Sequence, residues 1–390
     1  MIPYGRHSID ESDVEAVASV LRGGALTQGP KVDEFERAIA DRVCARHAVA
    51  VSSATAGLHI AALAAGMGPG RNLVTSPITF VASANAAIYC GGRAAFADID
   101  PLSLNLSPTS LQATVRRHGG AQVVMPVHFG GLPCDMPAIK SVADGCGAHV
   151  IEDAAHAIGA TYPDGSAVGC CRHSLCTVFS FHPVKNMAMG EGGVITTNDD
   201  MFHRRLLRLR SHGINKADDP LVDPGASMTG DLRNPWYYEM QELGFHYRVT
   251  DIQCALGLSQ LGKLDRFLAR RRELAAGYDR AFAEFRNLRP AQPDERSRSG
   301  LHLYVLRVDF AAAGTTRARL MTQLRERGIG TQVHYIPVNR QPLYRRLGMA
   351  GDPVPECDRY YGEALSIPLY YGLADSEQSA VIGALRELVG

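Results

Sequence analysis

Lysine is scarce in this chain: Lys31, Lys140, Lys185, Lys216 and Lys263 are the whole supply. One of them, Lys185, closes the phrase Ser180-Phe181-His182-Pro183-Val184-Lys185 and is followed by Gly190-Glu191-Gly192-Gly193. An amine emerging from a strand into a glycine-flanked turn can be held at the ligand edge of a sheet. Burial there lowers a lysine's pKa and frees the amine to attack a carbonyl. About thirty residues upstream, Ile151-Glu152-Asp153-Ala154-Ala155-His156 reads as an apolar strand ending in carboxylates, at the side of a sheet where α/β ligands bind. Asp153 suits the task of keeping a ring nitrogen protonated, so that the ring can accept electrons. A third phrase, Ser52-Ser53-Ala54-Thr55-Ala56-Gly57-Leu58, runs from a strand into a helix. Small residues at such a helix start let backbone N–H groups reach a phosphate, and the hydroxyls add hydrogen bonds.

Taken singly, each phrase has an ordinary alternative: a helix cap, a capping acid, a solvated loop lysine. Their conjunction is more specific. A phosphate turn, then an aspartate, then a lysine is the order and spacing of a fold-type I enzyme that uses pyridoxal 5′-phosphate.

Positioning these groups requires an α/β layer. Apolar runs at 48–52, 73–76, 93–98, 123–127, 148–152, 175–181 and 193–197 are strand candidates, and they alternate with helical stretches such as 56–65, 81–88 and 107–117. The last begins Ser107-Pro108-Thr109, a cap and first turn. The expected fold is therefore a large domain with a mostly parallel seven-stranded sheet. Residues 215–234 are rich in Asp, Pro and Gly and read as a long loop, and 250–285 has sustained helical periodicity suited to a spine between domains. A smaller C-terminal α/β domain follows, with strands at 302–309 and 330–334 and helices at 316–326 and 376–388. The expected division is 1–250 for the large cofactor-binding domain and 251–390 for the small one, and the length of 390 residues suits two packed units.

Composition narrows the partners. Forty basic residues balance forty acidic ones, which leaves no net field for nucleic acid or an anionic membrane. No secretory n-region and h-region opens the sequence, and no run of about 18 apolar residues occurs, so a cytoplasmic location is expected. Nine scattered cysteines suggest reduced thiols. Cys170, Cys171, His173 and Cys176 lack the paired spacing of a zinc site, and no metal is expected.

The sequence resembles the sugar aminotransferases grouped under the names DegT, DnrJ and StrS. The likeness runs from Leu26-Thr27-Gln28-Gly29-Pro30, through Pro77-Ile78-Thr79-Phe80-Val81-Ala82 and the three phrases above, to Gln332-Val333-His334-Tyr335. Within that family it most resembles the branch that acts in pseudaminic acid synthesis. That narrower likeness rests on 180–185, on the phrase Trp236 to Phe245, on Asp251-Ile252-Gln253 and on His302-Leu303-Tyr304. The resemblance implies that Lys185 carries the cofactor covalently and that Asp153 meets its pyridine nitrogen. It further implies that Phe80 stacks on the ring, that His156 stands near the phenolic oxygen, and that Ala54, Thr55 and Ser180 hold the phosphate. In relatives, which are dimers with shared active sites, an asparagine of a Gly-x-Asn-Tyr-Arg motif completes the phosphate site of the neighbouring subunit. Here the motif reads Gly244-Phe245-His246-Tyr247-Arg248, with His246 in place of that asparagine. By the same correspondence Tyr4, Leu26, Thr27, His302, Leu303, Tyr304 and His334 would line the substrate pocket.

The implied reaction takes an amino group from a donor, glutamate, and places it on a nucleotide-linked 4-keto-6-deoxy sugar. The matching substrate is UDP-2-acetamido-2,6-dideoxy-β-L-arabino-hexos-4-ulose, and other dTDP-, GDP- or UDP-keto-sugars are the alternatives. A dehydratase relative would carry histidine where Lys185 stands. A catalytically silent binding protein of the same fold would have no need of both Asp153 and Lys185. A nicotinamide dehydrogenase would open its first helix with G-x-G-x-x-G, which is missing here.

Overall fold

The computed structural model describes residues 1–215, 219–292 and 296–390. Lys216 and the start of the 215–234 loop fall partly outside the described residues. The strands of the large sheet are β1 (His47–Val51), β2 (Asn72–Thr75), β3 (Arg93–Phe96), β4 (Val123–Met125), β5 (His149–Asp153), β6 (Cys176–Ser180) and β7 (Gly193–Thr197), in the order β1-β7-β6-β5-β4-β2-β3. Pairing is parallel from β3 through β2, β4 and β5 to β6, while β7 runs antiparallel to both β6 and β1. All seven strands fall on the expected apolar runs, as a sheet covered on both faces requires. Successive residues feed opposite cores: Val150, Phe179 and Val194 face one apolar cluster, and Ile151, Val178 and Ile195 the other.

Helices α1 (Glu11–Gly23), α2 (Pro30–Val43), α3 (Ala54–Ala64), α4 (Val81–Tyr89), α5 (Pro108–Arg117), α6 (Met136–Asp144) and α7 (Asp200–Arg210) pack around this sheet. Ser107 caps α5 through its side chain and Pro108 opens it, as the sequence indicates. A short hairpin, β8 (Met228–Thr229) and β9 (Leu232–Arg233), lies inside the long loop.

The expected spine is two helices, α8 (Asp251–Leu261) and α9 (Leu264–Phe282). Gly262 ends the first, and Lys263 is pinned by Asp10 at 2.5 Å and Asp13 at 2.8 Å, so the chain breaks between them. Cys254, Leu264 and Leu268 join the core of the large sheet, whereas Leu274, Tyr278 and Phe282 join that of the C-terminal unit. That unit holds a three-stranded antiparallel sheet of β10 (Leu288–Pro290), β11 (Tyr304–Val308) and β12 (Ala364–Ile367), with α10 (Arg317–Glu326), α11 (Pro342–Arg346), α12 (Pro355–Glu363) and α13 (Asp375–Val389). Residues 330–334 do not form the expected strand. Between Gly330 and Pro337 only Gln332 pairs, in a single bridge to Ser366. Among the described residues no helix is long and apolar enough to cross a membrane.

Candidate active site

The C-terminal ends of β1, β2, β4, β5 and β6 share one edge of the sheet, and β7 begins there. A cleft of about 620 Å³ opens along it, lined in part by Ala54, Thr55, Asp153, Ser180 and Lys185. Concave sites at this edge are where open α/β sheets take their ligands.

The phosphate turn is built by α3. Ser53 caps it, accepting from the Ala56 N–H at 3.1 Å, so the N–H groups of Ala54 and Thr55 are those the first turn leaves without an intrahelical partner. The start of β7 presses on this turn: a Cβ at Gly193 would stand 2.6 Å from the Ala54 nitrogen and 2.7 Å from the Ser53 carbonyl carbon. Ser180, at the end of β6, is the neighbouring hydroxyl in the cleft.

Asp153 ends β5 and is buried. Its Oδ2 accepts from Ser83 Oγ at 2.6 Å and its Oδ1 from the Ala155 N–H at 3.1 Å, while Thr79 Oγ1 lies 2.7 Å behind Ser83. Glu152, one residue earlier, points to the opposite face, where His128 at 2.8 Å, Ser174 at 2.5 Å, Thr177 at 3.0 Å and Tyr162 all bond its carboxylate. Of the two acids in the phrase, Asp153 is thus the one that faces the cleft.

Burial brings the Lys185 amine down to about 8, against an upward pull from the charge of Asp153. Among the described residues the amine has no ion-pair partner within 4.0 Å. Three imidazoles surround it, all kept neutral chiefly by burial. His156 and His302 are pushed well below the usual histidine range, with Lys185 adding to the effect, and His334 is lowered to about 3 by burial and then by Lys185. Among the described residues His302 Nδ1 is buried without a partner, and Tyr4 meets His334 ring to ring at 5.5 Å. Phe80, 59% exposed, presents its ring at the mouth.

The structure therefore gathers Tyr4, Ala54, Thr55, Phe80, Asp153, His156, Ser180, Lys185, His302 and His334 around one cleft. It does not bring Leu303 or Tyr304 there. Leu303 is buried in an apolar cluster with Phe129 and Tyr360. Tyr304 is wholly buried on β11, where its hydroxyl donates to Asp279 at 2.7 Å, because a strand residue facing a core cannot also face the cleft. Leu26, Thr27 and His246 are exposed and outside this chain's own cleft. Thr27 bridges Thr250, and the Asp251 N–H donates to the Leu26 carbonyl at 3.0 Å. His246 pairs with Ser211, and its ring stacks on that of His212 at 5.3 Å. Sequence reasoning missed Tyr335, which lines the cleft, and Ser83, buried behind Asp153. Among the described residues no cluster of three or more His, Cys, Asp or Glu is placed to hold a metal ion.

A half-buried lysine, a seryl-anchored aspartate and an open helix start on one sheet edge form a donor set that fits pyridoxal 5′-phosphate, and the family and its solved members make the chain a pyridoxal 5′-phosphate-dependent aminotransferase. Residues 7–386 match the DegT/DnrJ/EryC1/StrS aminotransferase family, and the chain belongs to it. Over 390 residues it is 41% identical to the spore coat polysaccharide biosynthesis protein SpsC of Bacillus subtilis (strain 168), covering 100% of this chain and 97% of that protein. Among solved structures, Helicobacter pylori PseC, an aminotransferase involved in the biosynthesis of pseudoaminic acid, superposes with a TM-score of 0.89 at 27% identity, covering 100% of this chain and 99% of that one. The sugar aminotransferase CalS13 from Micromonospora echinospora gives 0.86 at 30% identity, covering 99% of this chain and 100% of that one. The chain is a sugar aminotransferase.

Proposed function

We propose that this enzyme moves an amino group from glutamate to the C4 ketone of a nucleotide-linked 4-keto-6-deoxy sugar. The substrate that fits the reading is UDP-2-acetamido-2,6-dideoxy-β-L-arabino-hexos-4-ulose. The observation that carries the chemistry is the placement of Lys185 and Asp153 in one cleft with the α3 start. The full-length likeness to PseC supports the choice of sugar. A second reading, another dTDP-, GDP- or UDP-keto-sugar, is favoured by the higher identity to SpsC, whose name places it in spore coat polysaccharide biosynthesis.

Bound pyridoxal 5′-phosphate would supply an electron sink that accepts the amino group from the donor and passes it to the ketone. The N–H groups of Ala54 and Thr55, with the Ser180 hydroxyl, would bind its phosphate. Asp153, steadied by Ser83, would hold the ring nitrogen's proton, and Phe80 would cover the ring. Lys185 would bond to the cofactor and, once released, carry the proton between the donor carbon and the cofactor's reactive carbon; an amine lowered to about 8 can do both near neutral pH. Tyr4, His302 and His334 would contact the sugar.

The assembly we propose is a homodimer with shared sites, divided in each chain into a cofactor-binding domain of residues 1–250 and a smaller domain of 251–390. Leu26, Thr27 and His246 are exposed and miss their own cleft, as residues serving a partner's site would. The nearby loop exposes Leu232, Trp236, Met240 and Leu243 by 75%, 72%, 65% and 76%, which is apolar area a second copy would cover.

The test is incubation with glutamate and a panel of UDP-, dTDP- and GDP-linked 4-keto-sugars, with identification of the aminated product. Amination of the UDP-linked N-acetylated sugar is expected. Preference for a dTDP or GDP substrate would overturn the substrate assignment.

A further inference from the structure

Tyr335 lines the cleft and stands against His156, and none of the roles assigned above uses it. The Gly130 N–H donates to His156 Nδ1 at 3.3 Å. A neutral imidazole has one donor and one acceptor nitrogen, so with Nδ1 accepting, the ring proton sits on Nε2. That nitrogen faces Tyr335 Oη at 3.1 Å, which therefore accepts the bond. Among the described residues Oη has no other hydrogen-bond partner within the chain, and its own proton is left for a ligand.

Resting on the reading that Lys185 carries the cofactor, we propose that Tyr335 contacts the cofactor with His156 as its positioning residue, the pair forming a neutral relay whose free O–H donates to an oxyanion bound beside Lys185. The cofactor has such an oxygen on its ring, next to the carbon that bonds the lysine.

Both ends of the relay are fixed. Gly130 sits in a turn with φ of +66°, held where the Phe129 N–H donates to Asn105 Oδ1 at 2.9 Å and the His302 N–H to the Gly130 carbonyl at 2.9 Å. On the other side, Tyr360 Oη donates to the His334 carbonyl at 2.7 Å, and His334 Nδ1 lies 2.8 Å from Ser366 Oγ. The titratable groups that act on the pair all favour its neutral form. Burial, then Lys185 and His334, keep a second proton off His156, while burial, then Asp153 and Tyr4, push the Tyr335 phenol above its usual range. His302, itself neutral, meets His156 ring to ring, tilted, at 4.4 Å.

A donor to the oxyanion withdraws charge from it and weakens its hold on the proton of the neighbouring lysine-derived nitrogen. Tyr335→Phe keeps the ring and removes the donor, so the pH midpoint of the holoenzyme's visible cofactor band should rise by about 1–2 units. His156→Leu should shift the midpoint the same way. His156→Gln, which can accept from Gly130 and donate to Tyr335, should stay near the parent value. The Tyr335→Phe/His156→Leu pair should shift no further than either single change, since both break one relay.

The titration is run on cofactor-loaded protein alongside thermal melting. A lowered Tm with an unmoved midpoint in Tyr335→Phe would mean a merely structural tyrosine and would overturn the inference. Should Tyr335→Phe fail to fold, the His156→Gln and His156→Leu midpoints decide, and equal values overturn it. Absence of any visible band in the loaded parent protein would instead sink the assignment of Lys185, which keeps the two failures apart.

Discussion

Ser83 Oγ donates to Asp153 Oδ2 at 2.6 Å, tying the first turns of α4 to the last residue of β5 across the ligand edge of the sheet. The aspartate therefore reaches the cleft already oriented, and it does not depend on the ligand for its geometry.

Ser83→Ala removes that donor and leaves a buried carboxylate oxygen short of one bond. A hydrogen bond to a charged group contributes about 1.5–3 kcal/mol. Cofactor affinity should fall about tenfold or more, read by titrating cofactor-free protein with pyridoxal 5′-phosphate. Unchanged affinity would show that Asp153 needs no such anchor.

Gly193→Ala places a methyl group against the backbone of Ser53 and Ala54, at 2.7 and 2.6 Å, where no flexible side chain can yield. Overpacking of this kind costs about 1–3 kcal/mol. The displaced turn should weaken binding of the cofactor more than of pyridoxal lacking the phosphate, and equal losses for both would argue against a phosphate role for this turn.

The Lys185 amine at about 8 gives a pH dependence with a definite sign. Below that value the amine is protonated and unreactive, so cofactor capture by the apoprotein should slow about tenfold per pH unit and level off above it. Its folded value lies below the ordinary lysine range, so the unfolded chain holds more protons between the two. The apoprotein should therefore gain stability from this group as pH rises from 8 toward 10, a gain that Lys185→Met lacks. Stopped-flow absorbance and melting curves across that window check both.

Shared sites can be tested by mixing. If His246 serves the partner's cofactor, Lys185→Ala and His246→Leu chains that are each poorly active should recover activity when refolded together. A random mixture makes about half heterodimers with one intact site each, or roughly a quarter of all sites. If His246 acts in its own subunit, no recovery follows.

The sequence carried the strands of the large sheet because a sheet covered on both faces needs short, wholly apolar runs, and the ligand edge came with them. Lys185, Asp153 and the 52–58 turn were legible because each sits at the end of such a run. Ser83 and Tyr335 were not, since they meet Asp153 and His156 across 70 and 179 positions, separations that only the folded sheet closes. Tyr304 was misplaced for a related reason: an aromatic on a short strand reads the same whether it faces a cleft or a core, and on the central strand β11 its hydroxyl goes to Asp279. The pairing partners of β11 were missed because β10 and β12 have three and four residues, too few to show a period.

The proposed chemistry turns on one amine, Lys185, bonding to the cofactor. Reducing the resting holoenzyme with borohydride and mapping the labelled peptide tests it directly. A single tag on the peptide that contains Lys185 is expected; a tag on Lys31, Lys140, Lys216 or Lys263, or none on loaded protein, would contradict the assignment.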